Sequence, residues 1–434
     1  MTGDGVEFQD ARPATPPKGT VVKVTLENGK AIQHIILDPQ TLPVEVFPSS
    51  YHASPFGGFR IAADFLCQDN VHLYPGASTA YDPEKYGYEA DAGGKGTISH
   101  IANHSALRLA LADGTNGAKS RLRTHDHVRY QAGAATHVKM TIYSDAGTLY
   151  SVIRSSITGT VQETLIEQSA WSEVPSTIDV TKGNIYEIMY QWLGVGEVMY
   201  FVNGVLRNIV QNAGQFTAPY MKTANLPMSF EIVNDGSLQK IRFGQFDDND
   251  GVFFEIRRSA GAGQFTNICS SARILNGMEY PTISFGYSRA LTAVGATMVP
   301  LFSLRIKELF NGIPSRIQLL PTLFCLFAET REGGFALVEN PTLTGATFVA
   351  TSPSPAVEID TAASAMSGGV ELFRAGMGAN TTEHFDLENI FTVAGSKIRK
   401  HAFSGVSDIL TVGVMREGNQ DFNPRATLNW REVR

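Results

Sequence analysis

Three cysteines in 434 residues, Cys67, Cys269 and Cys325, are too few and too widely spaced for a disulfide framework or a zinc knuckle. They fit folding in a reducing compartment. Cys325, inside the run Leu323-Phe-Cys-Leu-Phe327, reads as a small buried hydrophobe. Charge is also scarce, with Asp, Glu, Lys and Arg making up 18% of the chain, against roughly 25% in ordinary soluble domains. Positive charge is nowhere clustered and the net charge is -7. A nucleic-acid partner is therefore not expected, because phosphates need a concentrated basic surface. No apolar stretch approaches the ~18 residues of a membrane helix, and no basic segment with an apolar core opens the chain. Neither a membrane partner nor an export signal is expected. Helical periodicity, heptads and repeats of fixed length are missing too, which disfavours a solenoid or a coiled-coil shaft.

What is present is β-forming. Gly alone accounts for 41 residues, and with Thr, Ser and Asn it takes the place of the missing charge, as in proteins with many tight turns. The polar, proline-bearing segment 1–19 reads as an extended arm or as a frayed terminus, with equal merit. Val21–Leu26 and Ala31–Leu37 flank Asn28-Gly29, a hairpin signal, because both turn residues tolerate positive φ. Residues 38–95 look irregular, as a linker or wrap. From residue 96 onward short β runs recur between polar turns. They include Ala106–Leu111, Thr136–Tyr143, Tyr186–Trp192, Ser229–Val233, Gly251–Ile256, Leu301–Ile306, Phe335–Val338, Ile409–Val414 and Ala426–Trp430. Such a series indicates a sandwich or barrel. The strongest single hairpin is Val198–Val202, Asn203-Gly204, Val205–Val210.

Motifs with chemical potential are few. Gly93-Gly-Lys-Gly-Thr97 lacks the first glycine and the hydroxyl of a phosphate loop, and reads as a turn. Asp247-Asp-Asn-Asp-Gly251 resembles a calcium loop, but Phe246 and Arg257 fall at two ligand positions, which favours an acidic β-turn. His125 and His127 alternate on one strand face, and His137 could approach across a hairpin. Zinc would need further ligands, so a polar sheet face is the simpler reading. No spacing singles out a catalytic carboxylate pair; no catalytic residue, metal or cofactor is assigned, and the chain is not expected to be an enzyme, a polysaccharide-degrading enzyme on a jelly roll being the least favoured alternative after a glycan-binding adhesin. The aromatics Trp171, Trp192, Tyr186, Tyr190, Tyr200 and Phe201 crowd around the Asn203-Gly204 turn. Trp171, Trp192, Tyr200 and Asn203 are thus the candidate glycan-binding residues, since sugars stack on aromatic faces beside amides. Core packing is the competing reading, because Tyr186, Ile188, Tyr190 and Trp192 share one strand face.

Several segments together resemble structural proteins of tailed bacteriophages and some large viruses. They are Ser120-Arg-Leu-Arg-Thr-His-Asp-His-Val-Arg-Tyr-Gln-Ala-Gly133, the 198–210 hairpin and Cys269–Gly277. Pro300–Lys307 with Phe310–Pro314 follows, then Glu339-Asn-Pro-Thr-Leu-Thr-Gly345, Ser407–Thr411 and Leu428–Glu432. Ala132 stands where that family has proline. The resemblance implies a virion protein, folded in the host cytoplasm and placed as a capsid fibre, decoration or tail component. Its partners would be other capsid or tail proteins, copies of itself (a trimer among the options) and a host-surface glycan. The expected fold is all-β: a large antiparallel jelly-roll or lectin-like β-sandwich over 96–434. A small β module and linker over 20–95 and the arm over 1–19 precede it.

Overall fold

The computed structural model describes residues 22–25, 31–34 and 65–433, apart from 132–133, 176, 193, 216, 276–283, 330 and 388–397. The chain divides into two compact units, 1–53 and 54–434. In the first, Val22–Thr25 pairs antiparallel with Ala31–His34, Thr25 opposite Ala31, so the two β runs flanking Asn28-Gly29 do form a hairpin pair, while the turn itself lies outside the described residues. The proposed arm, 1–19, lies outside the described residues.

The second unit is all antiparallel β, as the turn-rich composition predicted. Its first half is a sandwich of two large sheets. A seven-stranded sheet runs in the order Gln162–Glu167, Thr148–Ser155, Gly251–Ser259, Leu238–Phe246, Leu226–Asn234, Lys119–Val128, Tyr86–Ala90. The opposing eight-stranded sheet runs Val205–Val210, Val198–Val202, Asn184–Tyr190, Thr136–Ser144, Gly263–Ile274, Ala106–Leu111, Gly96–Ile101, with Phe65–Val71 beside the far half of Gly263–Ile274. The chain crosses repeatedly between the sheets, which gives the course its jelly-roll character. Strict alternation builds the core. Val138, Met140 and Ile142 face Phe230, Phe243 and Phe254 across the sandwich, while the residues between them face out.

The second half is a separate, smaller sandwich. Four strands (Ser284–Ala290, Asn423–Val433, Gln318–Glu329, Thr381–Asp386) oppose six: Phe348–Ala350, Val357–Asp360, Val299–Ile306, Ile409–Arg416, Gly333–Glu339 and Val370–Met377. Its core, with Phe302, Phe324, Phe335 and Trp430, is distinct from that of the first. The expectation of one sandwich over 96–434 therefore needs two changes. Strands enter the sheets from Phe65, and the region holds two cores. The physical reason is thickness: two sheets pack only ~10 Å apart, so added strands build a second core rather than a deeper first one.

Candidate functional site

The turn readings hold. Asp91 accepts the amides of Lys95 and Gly96, closing 93–97 as a connection between strands. In the acidic loop, Asp247 Oδ1 accepts the amides of Asn249 and Asp250, both at 2.8 Å, and its other oxygen pairs with Arg316. Asp250 Oδ1 accepts the Ser156 amide at 2.9 Å. Oxygens that would coordinate calcium are therefore engaged by the chain. His125 and His137 lie apart: His137 bonds Glu187 at 3.0 Å, while His125 bonds the carbonyl of Pro83 at 3.1 Å. No group of three metal-type side chains occurs among the described residues.

The four candidate glycan residues do not form one site. Trp171 is 1% exposed and donates to the Ile166 carbonyl at 3.1 Å. Tyr200, fully buried, donates to the Val152 carbonyl at 2.7 Å and packs edge-on against Phe254. Both are core side chains, so the stacking role proposed for them is corrected: a sugar has no access to either ring. Trp192 is half-buried, donates to the Met221 carbonyl at 3.1 Å and meets Tyr130 edge-on at 5.6 Å. Asn203 is exposed but structural. With φ 54 and Gly204 at φ 76 it forms the hairpin turn, and its amide accepts from Ile185 N–H and donates to Asn184, both at 2.9 Å. Asn203→Ala should therefore lower stability by about 1–2 kcal/mol, through lost hydrogen bonds and a left-handed backbone that alanine resists. A thermal melt would show it; an unchanged melt would contradict this role.

The charged groups gather elsewhere, on the outer face of the seven-stranded sheet. One row of that sheet, read strand by strand, is Glu89, Arg121, Glu231, Arg242, Glu255, Tyr150, Glu167. Arg121 bonds Glu89 at 2.8 Å and Glu231 at 2.9 Å. Arg242 bonds Glu231 at 2.9 Å and also pairs with Glu255, which Arg257 meets from the other side. Arg154 adds Glu163 at 2.9 Å, and Asp248 bridges Arg121 and Arg123. Opposite charges on neighbouring strands attract, so the ladder fixes the register of the whole sheet. Burial raises the carboxyl groups of Glu163, Glu231 and Asp248, but the adjoining arginines outweigh it and hold all three below the ordinary range. At Glu89 burial is overcome by Lys119 and Arg121. Carboxylates of this kind stay ionised, whereas a glycosidase acid must hold its proton.

The ladder runs into the junction with the second sandwich. Phe403, from the loop 401–405, covers Arg121 at 5.3 Å and Arg123 at 4.8 Å from its ring centre. Arg399 pairs with Asp126 at 3.5 Å and donates to the Glu84 carbonyl. Arg316 reaches Asp247 and the Asn225 carbonyl. Between them sits His125, with His401 at 4.7 Å. Pro83 O can only accept, so His125 Nε2 carries the proton, and Nδ1 accepts the Ala402 amide at 3.0 Å. Burial, then Arg399 and His401, lower the His125 pKa from 6.5 to about 4. The half-buried His127 is lowered to about 4 by desolvation and Arg316. On the far side, burial, Asp408 and Glu84 push Glu339 up to about 7. Asp408 itself is raised by burial, although Asn340 and Arg399 bond it.

No family model matches the chain, and no curated protein does. Among solved structures, the carbohydrate recognition domain of Emp47p overlaps 48% of this chain and 96% of its own, at 9% identity and a TM-score of 0.25. The endo-beta-1,4-glucuronan lyase of Trichoderma reesei covers 48% and 94%, at 10% identity and 0.27. A putative beta-glucanase from Mycobacterium abscessus covers 48% and 99%, at 10% identity and 0.29. Overlap at this level carries no statement about the chain's activity.

Proposed function

We propose that this chain is a non-catalytic structural protein of a virion surface, in which the two sandwiches act as one rigid block. The observation that supports this most is where the family-like segments meet. Arg121, Arg123 and Asp126 come from Ser120–Gly133, Asn340 from Glu339–Gly345, and Asp408 from Ser407–Thr411. All five belong to the junction or to the ladder that enters it. Asn340 and Asp408 bond each other within the second sandwich, while Asp126, through Arg399, and Arg121 and Arg123, under Phe403, tie one sandwich to the other. A particle component needs that property, because ordinary domain pairs move freely unless their interface is extensive. The ladder works in the same direction by stiffening the broad sheet from edge to edge.

Electron microscopy of the parent particle tests this. The expected result is a repeated two-lobed density that accepts both sandwiches in one fixed relative orientation, on the capsid or on the tail. Purified particles that lack the chain, or contain it with the lobes in variable orientation, would refute the proposal.

A glycan-binding role is the second reading, and it has one foothold in the edge-on pair of Trp192 and Tyr130, both half-buried. Trp192→Ala should then abolish binding on a glycan array while leaving the melting temperature within a few degrees. A large fall in melting temperature would mark Trp192 as core.

A further inference from the structure

The loop that closes the junction has two separate anchors. Its stem belongs to the second sandwich: Arg399 N–H donates to Asp408 Oδ2 at 3.2 Å, Asp408 N–H donates to the Arg399 carbonyl at 2.8 Å, and Lys400 bridges to Ser407. Its tip, 401–405, reaches the first sandwich, and three consecutive amides of that tip end on imidazole lone pairs. Ala402 N–H donates to His125 Nδ1 at 3.0 Å, and Phe403 and Ser404 N–H donate to His401 Nδ1 at 3.4 and 3.3 Å. The strand Tyr86–Ala90 makes room for the tip at Gly87, where a Cβ would meet His401 and Phe403 at 3.1 Å and Ala402 at 3.2 Å. A lone pair that accepts an amide is lost when the nitrogen binds a proton. Protonation of His125 therefore sets two donors face to face at Ala402, and its other nitrogen is already committed to the Pro83 carbonyl at 3.1 Å. Protonation of His401 does the same at Phe403 and Ser404. A new cation on either ring would face the other ring at 4.7 Å and Arg399, with Arg121 and Arg123 under Phe403, Lys400 in the stem and Lys85 beside His125. His127, next to Arg316, adds a third such ring. The carboxylates that could offset it are engaged: Asp126 by Arg399, and Asp408 by the Arg399 amide and Asn340. Glu339, beside Asp408 and Glu84, is raised to about 7 and so is neutral in acid.

We propose that the tip 401–405 is an acid-released latch. When His125 and His401 take up protons the tip lifts off Gly87, Phe403 leaves the arginines, and the two sandwiches move relative to one another while each stays folded. Release is local because the stem bonds use no histidine, and the two hydrophobic cores are separate. The remaining ties, Arg399 to Asp126 and Arg316 to Asp247, are polar, and domain pairs joined by polar contacts move unless their interface is large. At neutral pH the latch is closed and the block rigid. The inference concerns the junction alone and does not rest on the virion reading; a latch that stays shut in acid leaves the rigid block standing.

Hydrogen–deuterium exchange and small-angle scattering of the full chain at pH 7 and pH 4.5 test it. After correction for the intrinsic exchange rate, protection of the 402–404 amides is expected to fall at least about 10-fold in acid, since one proton gained on opening shifts the equilibrium by up to about 10-fold per pH unit. Protection of the core strands around Val138–Ile142 and Leu410–Val414 should hold, and the scattering should change from one orientation of the lobes to several. Gly87→Val crowds the tip off its seat without acid, so it should show the pH 4.5 behaviour already at pH 7. His125→Asn with His401→Asn keeps an acceptor near each Nδ1 but takes up no proton, so it should stay latched at pH 4.5. Unchanged 402–404 protection in the acid wild type would overturn the proposal. So would core strands that lose protection together with the loop, because acid would then unfold the chain rather than release a latch. Acid release that persists in the double variant would also overturn it, by moving the trigger to other groups. The wild type and Gly87→Val decide the matter if the double variant misfolds.

Discussion

Arg242→Ala is expected to lower the unfolding free energy of the first sandwich by about 3–5 kcal/mol, the usual consequence of removing one member of a buried charge network. Arg242 bonds Glu231 and pairs with Glu255, and their side chains are 5% and 0% exposed. Truncation removes one of two cations from each carboxylate, leaving Glu231 with Arg121 and Glu255 with Arg257, and neither can move to water without leaving its strand. The same argument separates charge from packing. Arg242→Met with Glu255→Leu removes both members and keeps the volume, so it should recover most of the loss. Urea unfolding followed by fluorescence in a Trp430→Phe background checks this, because Trp171 and Trp192 then report the first sandwich alone. A loss below ~1 kcal/mol would mean that the ladder is a solvated surface array.

The sequence made the strands legible and the ladder illegible, for a physical reason. Alternation is local, so Val198–Val210 with Asn203-Gly204 announces its own pairing, and register and turn follow. Glu231 and Arg121 are 110 positions apart, and nothing within either strand shows that they will be neighbours. The Arg-x-Arg pattern at 121–123 was visible as a motif, but its partners emerge only once the strand order is known. The aromatic cluster failed as a site for a related reason. Trp171 and Tyr200 donate to the Ile166 and Val152 carbonyls inside the core and Tyr186 packs against Phe243 and Phe254, and sequence alone cannot tell an inward face from an outward one. The junction was the least legible part. His401 and Phe403 lie on a loop without periodicity, and their roles depend on docking against His125 and Arg121 across the full length of the chain.

Mild acid should weaken the junction by roughly 2–3 kcal/mol between pH 6.5 and 4.5, and the sign follows from which state binds protons. His125 and His127 titrate near 6.5 when unfolded but near 4 in the native chain. Over this window the unfolded chain therefore takes up two protons that the native one refuses, and stability falls as pH falls. Glu339 acts oppositely. Its folded pKa of about 7 lies above the ordinary 4.5, so the native state holds a proton that the unfolded chain lacks. The net excess in the unfolded state is about one proton, or about 1.4 kcal/mol per pH unit. His401, which is also lowered by burial, adds to the histidine side. Its Nδ1 accepts the amides of Phe403 and Ser404, so protonation there loosens the loop that holds Phe403 over the arginines. Urea midpoints across pH 7 to 4.5 provide the measurement, and two variants move the slope in opposite directions. Glu339→Gln keeps the neutral shape but removes the opposing proton, so acid destabilisation should become about twice as steep. His125→Gln removes one of the two refused protons, so the slope should flatten. If both variants retain the wild-type slope, the proton linkage lies outside the junction, and the histidine contact is only a packing feature.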